Sequence, residues 1–574
     1  MHRNRFVWTL VFIALTLLSI CPIILLSFYS FENFCLLILG FIGKTEKINE
    51  FQSRFLSSSR FQLLRLIAFA IPILMVSLLY LIYQYRVLLK RIFLKIYAKI
   101  KISLKRNYGF VSNLPLEERL FLIFFFSFIA FTRIYYALEM PITYDEAWTY
   151  LNFTQNGFLV SASYYPAPNN HILHSLLTNT TYHLPFDAKI NLRIPTIIVG
   201  IIASFIFWLC TTKLFNWKTG TVATTFFSSF FPAIYYGYLS RGYELTLLAF
   251  VIGGYSVLKI IAEKDSAKFW VLWTTSNIVG LYAVPTYLYT FVSLALLIFF
   301  AAIYQDNRSK INRLLISGVI VSISVFILYL PIIVFSSAES VTSNVAVRPI
   351  DRKRVIEELL VPHIAATFNS FFSFGFGWLV AIGLVVISYF FFQNKHLVNA
   401  VIFIIVIPFL LLIIHSVVFP ERAWHYQIAS ISFLLGMVFY SIEDKLRFPN
   451  SLVRIFSVII LLLGILNFNY RINSQEKLAF EAETLSKTIY QRDIKSVYVN
   501  FDLIDVDVQY YFTVKNKKYK VYRAHINGEL SNNELHNYDL VILKKGGTNQ
   551  IELKNYERIT DNQEFDAYLR IQEK

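Results

Sequence analysis

Long apolar stretches separated by short basic segments fill the first 470 residues. A bilayer core needs about 20 apolar residues per helix, and roughly thirteen stretches meet or approach that length. They run approximately over 6–28, 62–83, 120–138, 194–214, 221–236, 243–261 and 269–284, then over 286–303, 314–335, 376–392, 398–417, 426–440 and 452–468. This pattern predicts a polytopic α-helical membrane protein. After Asn469 it changes: Leu478, Ala482, Leu485 and Ile489 recur at helical spacing, 496–499 and 539–543 are short apolar runs, and 518–522 reads as a third strand. Roughly 100 residues suffice for a small domain, so the tail is expected to form a soluble α/β unit. Three parts are therefore predicted: two N-terminal helices with a basic linker (1–118), a transmembrane catalytic unit (119–469) with a first large loop at 139–193, and the tail (470–574).

Composition agrees with a bilayer location. The 574 residues are 56% hydrophobic and 16% charged, too apolar for an ordinary soluble enzyme of this length. The net charge of +17 raises the question of nucleic acid. Its placement argues against that partner, because Arg86, Lys90, Arg91, Lys95, Lys99, Lys101, Lys105 and Arg106 gather between apolar runs, as cytoplasmic loops do. Arg3 and Arg5 before the first run place the N-terminus in the cytoplasm, and no small-residue cleavage site follows, so that run reads as a retained helix. Counting spans from there puts 139–193, 237–242, 336–373, 419–425 and the tail outside. Cys21, Cys35 and Cys210 show neither paired nor metal-ligand spacing, so neither disulfides nor a zinc knuckle is expected.

Those outer segments carry the chemistry. Tyr144-Asp145-Glu146-Ala147-Trp148 sets two adjacent carboxylates at a membrane face, where desolvation is costly. A capping Asp that starts an interfacial helix is the plainer alternative. Pro166-Ala167-Pro168-Asn169-Asn170-His171 offers amide and imidazole groups to hydroxyls or phosphate oxygens, or else anchors the loop. Around Tyr236, the crossing Ser240-Arg241-Gly242-Tyr243-Glu244 holds a guanidinium fork suited to an anion, with an Arg241–Glu244 pair as the alternative. Glu421-Arg422 in the 419–425 segment poses the same choice. Asp145, Glu146 and His171 would make a divalent-metal set only if they converge.

At these residues the chain resembles the C-type (GT-C) glycosyltransferase superfamily, and within it bacterial relatives of the protein O-mannosyltransferases and of the lipid A aminoarabinose transferase. The matching features are Asp145-Glu146 just after a span, the Pro-Asn-Asn-His stretch, Arg193-Ile194-Pro195 and the Ser240–Glu244 crossing. The resemblance covers roughly 120–468. It implies a GT-C-like fold and transfer of a sugar from a polyprenyl-phosphate carrier to a hydroxyl of a protein, lipid or glycan on the outer face of the membrane. It makes Asp145 the general base and leaves Glu146, Asn170, His171, Arg193, Tyr236, Arg241, Glu244, Glu421 and Arg422 as substrate-binding candidates. The main rival is a transporter or lipid flippase of cell-envelope precursors, which should show broken helices with polar groups near the midplane. A binding protein anchored by its spans would need only one helix.

Overall fold

The computed structural model describes residues 20, 23–24, 26–42, 45, 48–54, 56–262, 266–342, 348–372, 375–490, 492, 494–515, 520–545, 555–561 and 564–571. Most of the first predicted span, 6–28, lies outside them. Among the described residues, seven helices are long and apolar enough to cross a membrane: Leu116–Glu139, Ala188–Leu214, Tyr243–Ile261, Pro285–Tyr304, Arg308–Phe335, Lys395–His415 and Asn450–Gln475. An eighth is reached if Arg352–Phe372 and Gly377–Phe391, bent by 86°, make one span. The chain is a multi-pass membrane protein.

Other apolar runs form shorter helices. The run at 221–236 splits into Trp217–Ser229 and Phe231–Tyr235, because Phe230 is extended and Pro232 has no N–H to continue the ladder. The run at 269–284 forms Ala267–Ala283, of 17 residues.

The chain divides into two compact units. The first comprises Met1–Ser127, Ser163–Pro166 and Tyr329–Thr342. Its longest element is the 55-residue helix Ser58–Ser112, which carries the predicted second span and the basic linker without a break. Phe34, Cys35, Phe51, Phe61 and Leu64 form its core, with Val334 and Phe335 packed against them. Ser336 ties in the short 163–166 strap, donating to Ser163 O (2.8 Å) and accepting the Tyr165 N–H (2.8 Å).

The second unit comprises Phe128–Ala162, Ala167–Leu328 and Ser343–Lys574. Its bundle centres on Tyr243–Ile261, which packs on Ala188–Leu214, Ala267–Ala283 and Leu288–Tyr304. Asn450–Gln475 lies close against Trp217–Ser229, where a Cβ on Gly464 would stand 2.6 Å from Ser229 O, the close approach that small residues permit between membrane helices.

The tail of this unit folds as an α/β domain. Lys477–Tyr490 buries Ala482, Leu485 and Ile489 at the predicted helical spacing. Strands β1 (Ser496–Val499), β2 (Lys520–Arg523), β3 (Leu540–Lys544), β4 (Tyr556–Asp561) and β5 (Phe565–Arg570) form one sheet in the order β2-β1-β3-β5-β4. The first three run parallel, while β5 is antiparallel to both β3 and β4. Helix Asp502–Val514 crosses between β1 and β2, and its Ile504, Val508 and Phe512 complete the core with Val497, Val499 and Ile542.

Candidate active site

The helix Tyr144–Asn152 carries the two carboxylates, and its cap is Thr143 rather than Asp145. Glu146, at the third helical position, accepts the Thr143 N–H (3.1 Å) as the acidic arm of a capping box. It also takes a bidentate pair from Arg193, with Nε to Oε1 at 2.9 Å and Nη2 to Oε2 at 2.7 Å, and the Ser240 N–H at 2.7 Å. Arg193 spends its remaining donors on Ala137 O, Met140 O and Pro141 O at 2.6–2.9 Å. Burial alone would raise the Glu146 carboxyl, but the guanidinium and the two backbone N–H groups outweigh it and hold it below the usual range. Both side chains are fully buried. The structure therefore puts Glu146 and Arg193, two candidate substrate ligands, beneath the site as the clamp that fixes the loop.

Asp145 points about 100° away from Glu146 around the helix, as consecutive helical residues do. Its side chain is 28% exposed, and its Oδ2 lies 3.2 Å from Arg422 Nη1 and 3.8 Å from Arg241 Nη2. Neither local pair considered from sequence forms. Arg241 lies ahead of helix Tyr243–Ile261 and so lacks the i,i+3 geometry with Glu244, and neighbours such as Glu421 and Arg422 do not face each other. Instead Glu244 pairs with His425 (3.2 Å) and Glu421 with His363 (3.5 Å), whose Nε2 accepts the Trp424 indole N–H (2.7 Å). Arg241 is buried and donates to Thr149 Oγ1 (3.0 Å) and Asn169 O (3.1 Å). Arg422 is 43% exposed.

His171 sits behind Arg241. Its Nδ1 accepts the Gly242 N–H at 2.7 Å, and its Nε2 lies 3.2 Å from Arg241 Nη2. Burial, then the Arg241 charge, push the imidazole well below its ordinary range. The ring is therefore neutral, and since Nδ1 must keep its lone pair, the proton sits on Nε2. Two donors thus face each other. Asn170 is a loop anchor, donating to Ser161 O (3.0 Å) and accepting from Ser175 Oγ (2.8 Å). Tyr236 stands edge-on to Tyr243 (4.8 Å) and His425 (5.0 Å), forming an aromatic wall. Asp145, His171, Arg241, Arg422 and Tyr236 come together; Asn170, Glu146 and Arg193 support them from below. Sequence reasoning missed Thr149, one helical turn after Asp145, and the ties of His363 and His425. Among the described residues no group of three or more His, Cys, Asp or Glu is placed to hold a metal ion; Asp145 and His171 both lie against Arg241, and Glu146 is taken up by Arg193.

The C-terminal domain braces the Asp145 helix. Val506 and Tyr510 join a cluster with Ile142, Ala147 and Tyr150, the Tyr510 and Tyr150 rings are 5.1 Å apart, and the Tyr511 hydroxyl accepts the Ile142 N–H at 3.4 Å. At the junction the Tyr235 hydroxyl donates to Glu476. Burial lifts the Glu476 carboxyl from 4.5 to about 7, and burial raises Asp507 as well. The folded state then holds a proton that the unfolded state has released, so stability is fully present below about pH 4.5 and lost as pH rises through about 7. Between pH 5 and 8 the Glu476 contribution falls by about 2–3 kcal/mol. Thermal melts of wild type and Glu476→Gln across that range should show a shallower slope in the variant, and equal slopes would remove Glu476 from this account.

No protein-family model matches the chain, and no curated protein matches it. The solved structures that match include two of ArnT from Cupriavidus metallidurans. The apo state is 10% identical with a TM-score of 0.48, and the form bound to undecaprenyl phosphate is 10% identical with a TM-score of 0.46. Each match covers 78% of this chain and 97% of the other.

Proposed function

We propose that the chain is a membrane glycosyltransferase of the GT-C kind that moves a sugar from a polyprenyl-phosphate donor to a hydroxyl acceptor on the outer face of the membrane. The observation that carries this reading is the half-open carboxylate of Asp145 held between two arginines from separate crossings, Arg422 at 3.2 Å and Arg241 at 3.8 Å. A phosphate competes for the same guanidinium forks. Its arrival draws them off Asp145, which becomes free to act as a base on the acceptor. Asp145 then takes the hydroxyl proton as the acceptor oxygen bonds to the anomeric carbon, and the bond from that carbon to the phosphate oxygen breaks. The electron pair leaves on the phosphate, stabilised by Arg241 and Arg422, with inversion at carbon. The Nε2–H of His171, beside Arg241, supplies a further donor to an anionic oxygen.

An apolar cavity of about 590 Å³ between helices Leu360–Phe372, Gly377–Phe391 and Lys395–His415 suits an isoprenoid tail. It reaches Phe409, whose ring lies 4.6 Å from Trp424, two residues after Arg422.

Titration of the purified protein with a polyprenyl phosphate tests the phosphate site. A charge-assisted hydrogen bond contributes about 1.5–3 kcal/mol, so Arg422→Ala should weaken binding by roughly ten- to a hundredfold. Arg422→Lys keeps the charge without the fork and should weaken it less. Arg241→Ala should act in the same direction, but also loosens the loop through Thr149 and Asn169. Unchanged affinity in both alanine variants would end the phosphate reading. For orientation, protease added outside sealed cells should remove the tail after Asn469.

A further inference from the structure

Arg133 lies in the span Leu116–Glu139 and is 2% exposed, a cation in the interior of a membrane bundle. Two glycines make its room. A Cβ on Gly200 would stand 2.2 Å from Arg133 Nη1, and one on Gly237 would stand 2.9 Å from its Nε. The same Gly200 position is 2.9 Å from Glu244 Oε2, so guanidinium and carboxylate face each other across one glycine. None of the described residues offers a hydrogen bond to Nη1 or Nη2 of Arg133 or to Oε2 of Glu244. Buried charges in such a place are kept by a partner and a use. Beside Arg133 a cavity of about 10 Å³ opens against Ser228, whose Oγ likewise has no partner among the described residues. That is about the space of one buried water.

We propose that Arg133 is the counter-ion of Glu244, facing it across Gly200, and that this pair positions Arg241 and Arg422 on Asp145. Oε1 of Glu244 is already engaged by His425 Nε2 at 3.2 Å, and His425 directly follows the turn Glu421–Trp424 that holds Arg422. Glu244 itself comes three residues after Arg241. One carboxylate thus ties together the two crossings whose arginines reach the reacting group, and Arg133 holds that carboxylate in place. Arg133 is a positioning residue, acting through Glu244. The positioning half rests on the transferase reading; the pairing half does not.

The full-length protein in detergent tests the two halves separately. Thermal unfolding of Arg133→Met, Glu244→Gln and the double variant forms a mutant cycle. Each single change should lower the midpoint, and the double change should lower it by less than the two together, because it removes both charges. Additive shifts overturn the pairing. If Arg133→Met does not fold, Arg133→Lys and the double variant carry the comparison, and a double variant no better folded than Arg133→Met is equally fatal. Titration with a polyprenyl phosphate then reads positioning. Arg133→Met should raise the dissociation constant about tenfold, and the double variant should bind no more weakly than Glu244→Gln alone, because Arg133 acts through that carboxylate. Wild-type affinity in a folded Arg133→Met overturns the positioning half. If the wild-type protein itself binds no polyprenyl phosphate, the transferase reading fails and takes positioning with it, while the melting cycle still decides whether Arg133 and Glu244 are a pair.

Discussion

Asp145→Asn should leave the protein folded, inserted and able to bind a polyprenyl phosphate, while transfer falls by about 10²–10⁴-fold. Asn keeps the shape of the side chain and loses the base. The scaffold should tolerate the change, because the clamp under the loop uses Glu146, Arg193 and the backbone of Ser240 and Thr143, none of which touches the Asp145 carboxylate. Removing the carboxylate also frees Arg422 and Arg241, so phosphate affinity should hold or rise slightly. That combination separates a lost base from a lost binding site, since an arginine variant weakens binding and a misfolded one weakens everything. Transfer assayed with a labelled polyprenyl-phosphate sugar gives the rate, and titration gives the affinity. Full transfer by Asp145→Asn would sink the assignment of the base, and the search would move to Glu421, the neighbour of Arg422.

Residue chemistry could be read along the chain further than residue pairing. Apolar length alone marks spans such as Lys395–His415, because a bilayer demands it. The break at Phe230 was hidden, since Pro232 interrupts a run that stays apolar on both sides. The linker after 83 reads as a boundary by charge, but Lys and Arg are good helix formers and the helix runs on to Ser112. In the tail, β1 and β3 stand out as short apolar runs. Helix Asp502–Val514 does not, because Asp505 and Asp507 fall between its apolar residues and imitate the alternation of a strand. In the site, Asp145, Arg241 and Arg422 are visible as unusual charges between spans. Which of them meet is a matter of tertiary packing: Glu146 and Arg193 are 47 positions apart and Glu244 and His425 are 181 apart, while the neighbours Glu421 and Arg422 turn to different partners.

The largest loss of stability is expected from breaking the clamp beneath the site. Arg193→Met removes five hydrogen bonds at once, two to Glu146 and three to the backbone carbonyls of Ala137, Met140 and Pro141. It also leaves a carboxylate buried with no cation, and breaking such a pair costs about 3–5 kcal/mol. Glu146→Gln is milder, because an amide oxygen can still accept from Ser240 and Thr143 while the mismatch with Arg193 remains. Replacing both partners with Met should cost less than Arg193→Met alone, since no charge is stranded, although the carbonyls and the helix cap lose their donors and acceptor. Thermal unfolding in detergent should therefore rank the variants with Glu146→Gln highest, the double variant next and Arg193→Met lowest. Transfer should fall further than stability in Glu146→Gln, because Asp145 precedes Glu146 on the same short helix and a loosened clamp lets the base drift from its arginines, where a misplacement of about 1 Å costs on the order of 10²-fold. A melting midpoint in Arg193→Met equal to that of wild type would show that the clamp does not hold the loop.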